Sequence, residues 1–357
     1  MSAGAAGRGG RSTEERVRGA VSRATGRDAS GLPVRRLAGH ASMRSYWRAG
    51  DPPRSLVVMV MPPDARPEEV TRGGPPEVDP FADVQAFLRE VGVRVPEILA
   101  FHRDDPEGGL VVLEDLGDEM LETRLLAGDP PEPLYARAVD QLARLRARSE
   151  GTAPRCVAFA RRFDRELYRW ELDHFREWLL EAWKGARLSP AEREVVDREF
   201  DRIARSLEAE PPGFTHRDYQ SRNIMVLPSG EQAVIDFQDA LLGPRQYDLV
   251  ALLRDSYVEL PDDLVERMLR RWLDAFAAAG GPRLAYGPFR EGFDLLTVQR
   301  KLKDAGRFVF IDRVRGNPGF LRSIPASLRY VREALARRPD LAALQEILGR
   351  HVPELAR

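Results

Sequence analysis

A chain of 357 residues is long enough for two domains or one two-lobed domain, with a core that needs no disulfide or metal. Its composition is globular, 43% hydrophobic and 31% charged, and 55 basic against 56 acidic residues leave a net charge of -1, which gives no reason to expect a nucleic-acid or membrane surface. A single cysteine, Cys156, excludes an internal disulfide and a multi-cysteine zinc site.

Met1 to Arg11 is Ala, Gly and Arg without an apolar core, so it reads as a flexible tail rather than a secretory signal, and a cytoplasmic location is expected. S-T-E-E at Ser12 opens a helix that Gly31-Leu32-Pro33 breaks. Short strands are predicted over Val34 to Ala38, Ser45 to Arg48 and Leu56 to Met61, the last a continuous apolar run of buried type. The apolar run Ser55 to Pro63 is less than half of the roughly 20 residues a membrane-spanning helix needs. Asp64 to Pro80 reads as a loop, Phe81 to Val91 as a helix, and Pro96 to His102 and Leu110 to Glu114 as strands. Beyond Leu116-Gly117 helical patterns dominate, over Leu134 to Ser149, Phe163 to Trp183, Pro190 to Leu207, Pro261 to Ala279, Tyr286 to Phe310 and Pro325 to Ala336, broken by one β-rich stretch, Phe214 to Phe237. A small strand-rich lobe thus precedes a large helical one, with the crossover near Leu113 to Gly117, and junctions of this kind are where ligands usually bind.

The β-rich stretch carries the chemistry. It reads F-T-H-R-D-Y-Q-S-R-N-I-M-V, a turn P-S-G-E, then Q-A-V-I-D-F-Q-D, with hairpin spacing around Pro228-Ser229-Gly230. Asp218 and Asn223 therefore precede the first strand and Asp236 ends the second, which gathers three oxygen-bearing side chains at one end of a hairpin. Phosphate transfer needs such a set. Mg2+ takes hard oxygen ligands, which Asn223 and Asp236 can supply, and a separate carboxylate, Asp218, can orient an attacking hydroxyl and accept its proton. His216-Arg217-Asp218, four residues and Asn223 match the catalytic-loop pattern of protein kinases, and Asp236-Phe237 stands in the place of their magnesium-binding D-F-G.

Four passages resemble the aminoglycoside phosphotransferase and choline kinase superfamily, and more closely its bacterial anomeric N-acetylmuramate/N-acetylglucosamine kinases. They are G-H-A-S-M-R-S-Y-W-R (Gly39 to Arg48), H-R-D-Y-Q-S-R-N (His216 to Asn223), V-I-D-F-Q-D-A-L-L-G-P-R-Q-Y-D-L-V-A-L-L-R-D (Val234 to Asp255) and Q-R-K-L-K-D-A-G-R-F (Gln299 to Phe308). The resemblance implies an α+β, bilobal protein-kinase-like fold, with a tail and helix over 1–30, a nucleotide-binding lobe over 31–115 and a catalytic, acceptor-binding lobe over 116–357. It implies ATP and Mg2+, and transfer of the γ-phosphoryl group to a sugar hydroxyl, with the anomeric hydroxyl of N-acetylmuramate or N-acetylglucosamine favoured, in cell-wall recycling. By the same resemblance the nucleotide is held at Gly39, Ser42, Arg44 and Arg48 and, through backbone groups of the inter-lobe hinge, at Glu114 and Leu116, while Asp248 is buried and braces the catalytic loop.

The chain departs from the kinase pattern in two places. The turn over the phosphates has only Gly39, and the third strand carries no basic residue, where kinases have a glycine-rich loop and a lysine. Lysine occurs only at Lys184, Lys301 and Lys303. Arginine is a permanently charged, bidentate phosphate ligand, and Arg44 is favoured over Arg48, with Glu77, Asp79 and Asp83 as candidate partners for it. Acceptor contacts are expected from Glu171, His174 and Trp178, which share a helical stripe beside the apolar Tyr168, Leu172, Phe175 and Leu179, and from the basic face of Arg300, Lys303 and Arg307, which would attract a lactyl carboxylate. The alternatives are an aminoglycoside or other small-alcohol kinase and, because the third-strand lysine is missing, a nucleotide-binding pseudokinase regulator. No nucleic-acid or membrane partner is expected, and the sequence leaves the oligomeric state open.

Overall fold

A computed structural model describes residues 11–37, 44–61, 79–103, 105, 107–152 and 154–356. The chain divides into two compact units, Met1–Pro75 with Pro96–Gly117, and Pro76–Val95 with Asp118–Arg357. The predicted turn residues Gly39 and Ser42, and Glu77, lie outside the described residues.

In the smaller unit, helix α1 (Thr13–Thr25) begins on a capping box: the Glu15 N–H donates to Ser12 Oγ at 3.2 Å and the Ser12 N–H to Glu15 Oε2 at 2.7 Å. It ends earlier than expected because Gly26, at φ +67°, supplies a left-handed cap. Strands β1 (Val34–Arg36), β2 (Ser45–Ala49), β3 (Leu56–Val60), β4 (Ile98–His102) and β5 (Leu110–Glu114) form an antiparallel sheet in the order β1-β2-β3-β5-β4. Val17, Ala20 and Val21 of α1 pack on Val58, Val60, Leu110 and Val112. The N-terminal helix is therefore part of this unit's core and not a separate segment, and each fully buried aliphatic contributes on the order of 1.5–3 kcal/mol.

The larger unit opens with α2 (Pro80–Glu90), which by its place in the sequence is expected in the strand-rich lobe. Its packing explains the difference. Phe81 stacks on Phe237 with ring centroids 4.8 Å apart, Phe87 meets Phe159 and Phe214, and the Val157 N–H donates to Asp83 Oδ2 at 2.6 Å. There follow α3 (Leu121–Leu126), α4 (Pro131–Ser149), α5 (Arg165–Phe175), which continues into a π-helical stretch Arg176–Trp183, and α6 (Pro190–Glu208). Strands β6 (Gly213–Thr215) and β9 (Leu241–Gly243) pair antiparallel, and β7 (Ile224–Val226) and β8 (Gln232–Val234) form the expected hairpin. Helices α7 (Tyr247–Leu253), α8 (Asp262–Ala278), α9 (Tyr286–Arg315), α10 (Ile324–Ala336) and α11 (Ala342–His351) complete the unit. Among the described residues no helix is long and apolar enough to cross a membrane.

Helix α9 is the unit's central strut, buried along most of its 30 residues. It lies so close to α5 at Gly306 that an added Cβ would stand 2.6 Å from Phe175 Cα and 2.9 Å from the His174 carbonyl oxygen. Those atoms are backbone and cannot move aside. Gly306→Ala is therefore expected to destabilise the protein by about 1–3 kcal/mol, the usual cost of overpacking, read as a lower urea midpoint. An unchanged midpoint would mean that the two helices can part without cost.

Candidate active site

The catalytic-loop residues hang from the end of β6. His216 is buried, its Nε2 faces the Ile235 carbonyl at 3.0 Å, and its Nδ1 accepts the Asp218 N–H at 3.3 Å. A nitrogen against a carbonyl must donate and one against an N–H must accept, so these two bonds require a neutral ring protonated on Nε2. Burial pushes the imidazole below its ordinary pKa in the same sense. Asp248, at the start of α7, braces the turn: Oδ2 accepts the His216 N–H at 2.7 Å and Oδ1 the Arg217 N–H at 3.0 Å.

That brace holds an unfavourable backbone. Among the described residues the non-glycine positions with positive φ are Arg217, at +80°, and Asp236, at +64°. Each costs on the order of 1–3 kcal/mol, and such strain gathers at functional sites.

The Asp218 carboxylate is about a third exposed, and Arg300 Nη2 of α9 lies 3.3 Å from its Oδ1. Burial works to raise the Asp218 pKa, but the charges of Arg300, Lys303 and Arg217 overcome it and hold the group below its ordinary value. Asn223 closes the next turn: its Nδ2 donates to the Asp218 carbonyl at 2.8 Å, and its own carbonyl accepts the Ile235 N–H at 3.0 Å. The hairpin register, Ile224 opposite Val234, sets Asn223 beside the residues that lead into Asp236. Asp255, for which the motif spacing implies no role, anchors this turn by accepting both the Ser221 N–H at 2.9 Å and the Ser221 hydroxyl at 2.5 Å. Arg222 is clamped by Glu122 and lies 3.6 Å over the Tyr257 ring.

The donor set suits a hard cation. With the Asn223 amide nitrogen committed to Asp218, its amide oxygen is the part of the side chain suited to a metal, and Asp236 offers a carboxylate. Two protein oxygens, completed by phosphate and water, are what Mg2+ ordinarily takes.

Three expected contacts, those of Arg48, Glu171 and Arg300, fall elsewhere. Arg48 is fully buried on β2, with Nε 2.6 Å and Nη2 2.8 Å from Asp115, so it ties the sheet to the end of β5 instead of presenting a charge to phosphate. Burial works against the Asp115 charge, but bonds from Arg48, Ser55 and the Gly117 N–H hold its pKa below the ordinary value. At the expected hinge the Glu114 N–H is spent on the Glu97 carbonyl at 2.9 Å, so of the two backbone groups expected there the N–H does not serve adenine. Glu171 is fully buried, accepting Gln299 Nε2 at 2.7 Å with Arg217 Nη2 at 3.6 Å, so it serves the scaffold and not an acceptor. Arg300 is 2% exposed, under Asp218 and against the Tyr247 ring, and is not open to a lactyl carboxylate.

The predicted stripe thus separates into a Glu171 bonded to α9 and an aromatic cluster in which His174 is itself buried. His174 stacks on Trp170 at 5.3 Å, and Trp178 meets Phe310 edge-on at 5.1 Å. The π-helical stretch from Arg176 onward breaks the 3.6-residue period on which the stripe rested. Arg307 lies over Phe310. Leu116 is buried just after β5, and Arg44 directly precedes β2, half-buried. Asp79 caps α2 and Asp83 holds Val157, so both acids are engaged within the larger unit.

Comparison with known proteins agrees with this geometry. A model described as the phosphotransferase enzyme family matches residues 33–286. The N-acetylmuramate/N-acetylglucosamine kinase of Pseudomonas aeruginosa is 38% identical, over 87% of this chain and 86% of that protein. The protein of that name from Neisseria meningitidis serogroup B is 34% identical, over 87% and 88%. Among solved structures, choline kinase LicA from Streptococcus pneumoniae superimposes with a TM-score of 0.59 at 15% identity, covering 91% of this chain and 99% of that one. A spectinomycin phosphotransferase does so with a TM-score of 0.59 at 11% identity, covering 89% and 93%. At such identities the two structures speak for the fold alone, a bilobal kinase-like one.

Proposed function

The chain belongs to the phosphotransferase enzyme family, and from that premise we propose that it moves the γ-phosphoryl group of ATP, with Mg2+, onto the anomeric hydroxyl of N-acetylmuramate or N-acetylglucosamine. The observation that carries the reaction is the Asp218 turn: an anionic carboxylate, braced through Asp248 and Arg300, one hydrogen bond away from an amide that can share a cation with Asp236. The acceptor rests on the names of the relatives. We assign the activity to the cytoplasm, where ATP is, and to the reuse of cell-wall sugars.

In this mechanism Asp218 orients the acceptor hydroxyl and takes its proton as the oxygen meets the γ-phosphorus. Asn223 and Asp236 would hold Mg2+, which when bound neutralises charge on the nucleotide phosphates. His216 and Asp248 keep the loop in its strained path. His174 and Trp178, with Trp170 and Phe310, offer an apolar wall for the sugar's C–H face, and the backbone at Leu116 is assigned to the adenine. The cations around Asp218 disfavour a polycationic aminoglycoside.

Arg44 is assigned to the nucleotide phosphates. Arg44→Ala is expected to raise the KM for ATP by about tenfold, as fits loss of a charge-assisted bond, with the acceptor KM little changed. Equal KM values in variant and parent would move the role to another group. The acceptor is tested by ADP release with Mg2+/ATP across N-acetylmuramate, N-acetylglucosamine, glucose, kanamycin and choline. Release with the two N-acetylated sugars is expected. Release with kanamycin or choline and not with the sugars would overturn the reading, and no release with any acceptor would favour a regulator that only binds nucleotide.

A further inference from the structure

Helix α9 carries Gln299, Arg300, Lys301 and Lys303 near the catalytic turn, and the first three each make a side-chain hydrogen bond. Gln299 donates to Glu171 at 2.7 Å, Arg300 reaches Asp218 at 3.3 Å, and Lys301 Nζ is held by Asp304 at 2.8 Å and Ser256 at 3.1 Å. Lys303 is different. It is 9% exposed, and the carboxylate recorded beside it, Asp304, is 3.6 Å away, beyond hydrogen-bond distance, and already engaged by Lys301. Among the described residues its ammonium, a group with three donors, makes no hydrogen bond. The ammonium itself is not sealed off from solvent, so an anionic group can meet it there.

Its position indicates what that would be. Lys303 lies three residues, about one helical turn, beyond Arg300, and residues so spaced share a helix face. Its charge is near enough to help hold Asp218 anionic. The close approach of α9 to α5 at Gly306 fixes that face in place. The other two lysines are not available: Lys184 pairs with Glu354 at 2.6 Å, and Lys301 is enclosed by Ser256 and Asp304. Strand β3, where kinases carry their phosphate-binding lysine, has none.

We propose that Lys303 is a catalytic residue, the cation that meets the γ-phosphoryl oxygens during transfer. The inference rests on the kinase reading above. In the step, the acceptor oxygen bonds to the γ-phosphorus as its proton passes to Asp218. The bond from that phosphorus to the bridging oxygen breaks, and its electron pair leaves on ADP. Negative charge on the three γ-oxygens passes through the transition state beside Asp218, where the Lys303 ammonium donates to it. Arg300 stays on Asp218 and keeps the carboxylate in place.

The test compares Lys303→Met, Lys303→Gln and Lys303→Arg with the parent enzyme on both N-acetylmuramate and N-acetylglucosamine, with binding of a fluorescent ADP analogue as the readout independent of turnover. Turnover by the parent is established first, since its absence would remove the kinase reading itself and not the role of Lys303 alone. Lys303→Met and Lys303→Gln are expected to lower kcat by about 100-fold or more on both acceptors alike, the usual loss for one transition-state donor, with ADP binding little changed. Lys303→Arg, which keeps the charge, is expected to recover much of that loss, and it carries the test if the neutral variants fold poorly. A kcat near that of the parent in the neutral variants would overturn the proposal. So would a loss confined to N-acetylmuramate, which would make Lys303 a reader of the acceptor carboxylate.

Discussion

Asp218→Asn is expected to lower kcat by about 10²–10⁴-fold, the span that a positioned general base contributes, while ADP binding stays within a few fold of the parent. The substitution conserves volume, and the asparagine oxygen can still accept from Arg300 Nη2, which lies 3.3 Å from the native carboxylate. What is lost is the anion. An amide cannot take the acceptor's proton, and Arg300 and Lys303 are left beside a neutral group. The backbone of the turn does not depend on the Asp218 side chain, because Asp248 holds the N–H groups of His216 and Arg217. Loss of turnover with intact nucleotide binding therefore distinguishes a chemical role from a structural one. Activity within about tenfold of the parent would remove Asp218 from the reaction.

Asp236→Asn is expected to lower turnover by at least about 100-fold and to raise the Mg2+ concentration needed for half-maximal rate, since one of two protein ligands loses its charge. Asparagine is the useful replacement because Asp236 sits at φ +64°, a conformation that Asn tolerates and most side chains do not. Asp236→Ala should show the same kinetic loss together with about 1–2 kcal/mol of instability from the left-handed backbone. Comparing the two variants separates the metal role from the strain. An Asn variant with the parent's Mg2+ dependence would place the cation elsewhere.

Much of the candidate site's backbone geometry was legible because it is local. Asp218 and Asn223 are five positions apart, and a hairpin turn returns the chain to Asp236, so the spacing alone brings their backbone together. The contributions of α9 were not legible in the same way. Arg300 reaches Asp218 across 82 positions, and nothing in a basic helix face tells a solvated cation from one buried under a carboxylate. Glu171 shows the converse difficulty. An amphipathic pattern marks a polar stripe but not whether that stripe faces solvent or an internal layer, and here Gln299 and Arg217 draw it inward. Helix α7 has every residue buried and so shows no period, while β9 is three residues long and acquires its meaning only from pairing with β6. The allegiance of α2 was decided by Phe81 on Phe237, a contact between two distant aromatics that spacing cannot reveal.

The most direct measurement is proton-coupled ³¹P NMR of the product formed from N-acetylmuramate with Mg2+ and ATP. The expected result is a phosphomonoester resonance coupled to the anomeric proton, formed with stoichiometric ADP and absent without Mg2+. A phosphate coupled instead to the protons on C6, or ATP consumed with only inorganic phosphate appearing, would contradict transfer to the anomeric hydroxyl.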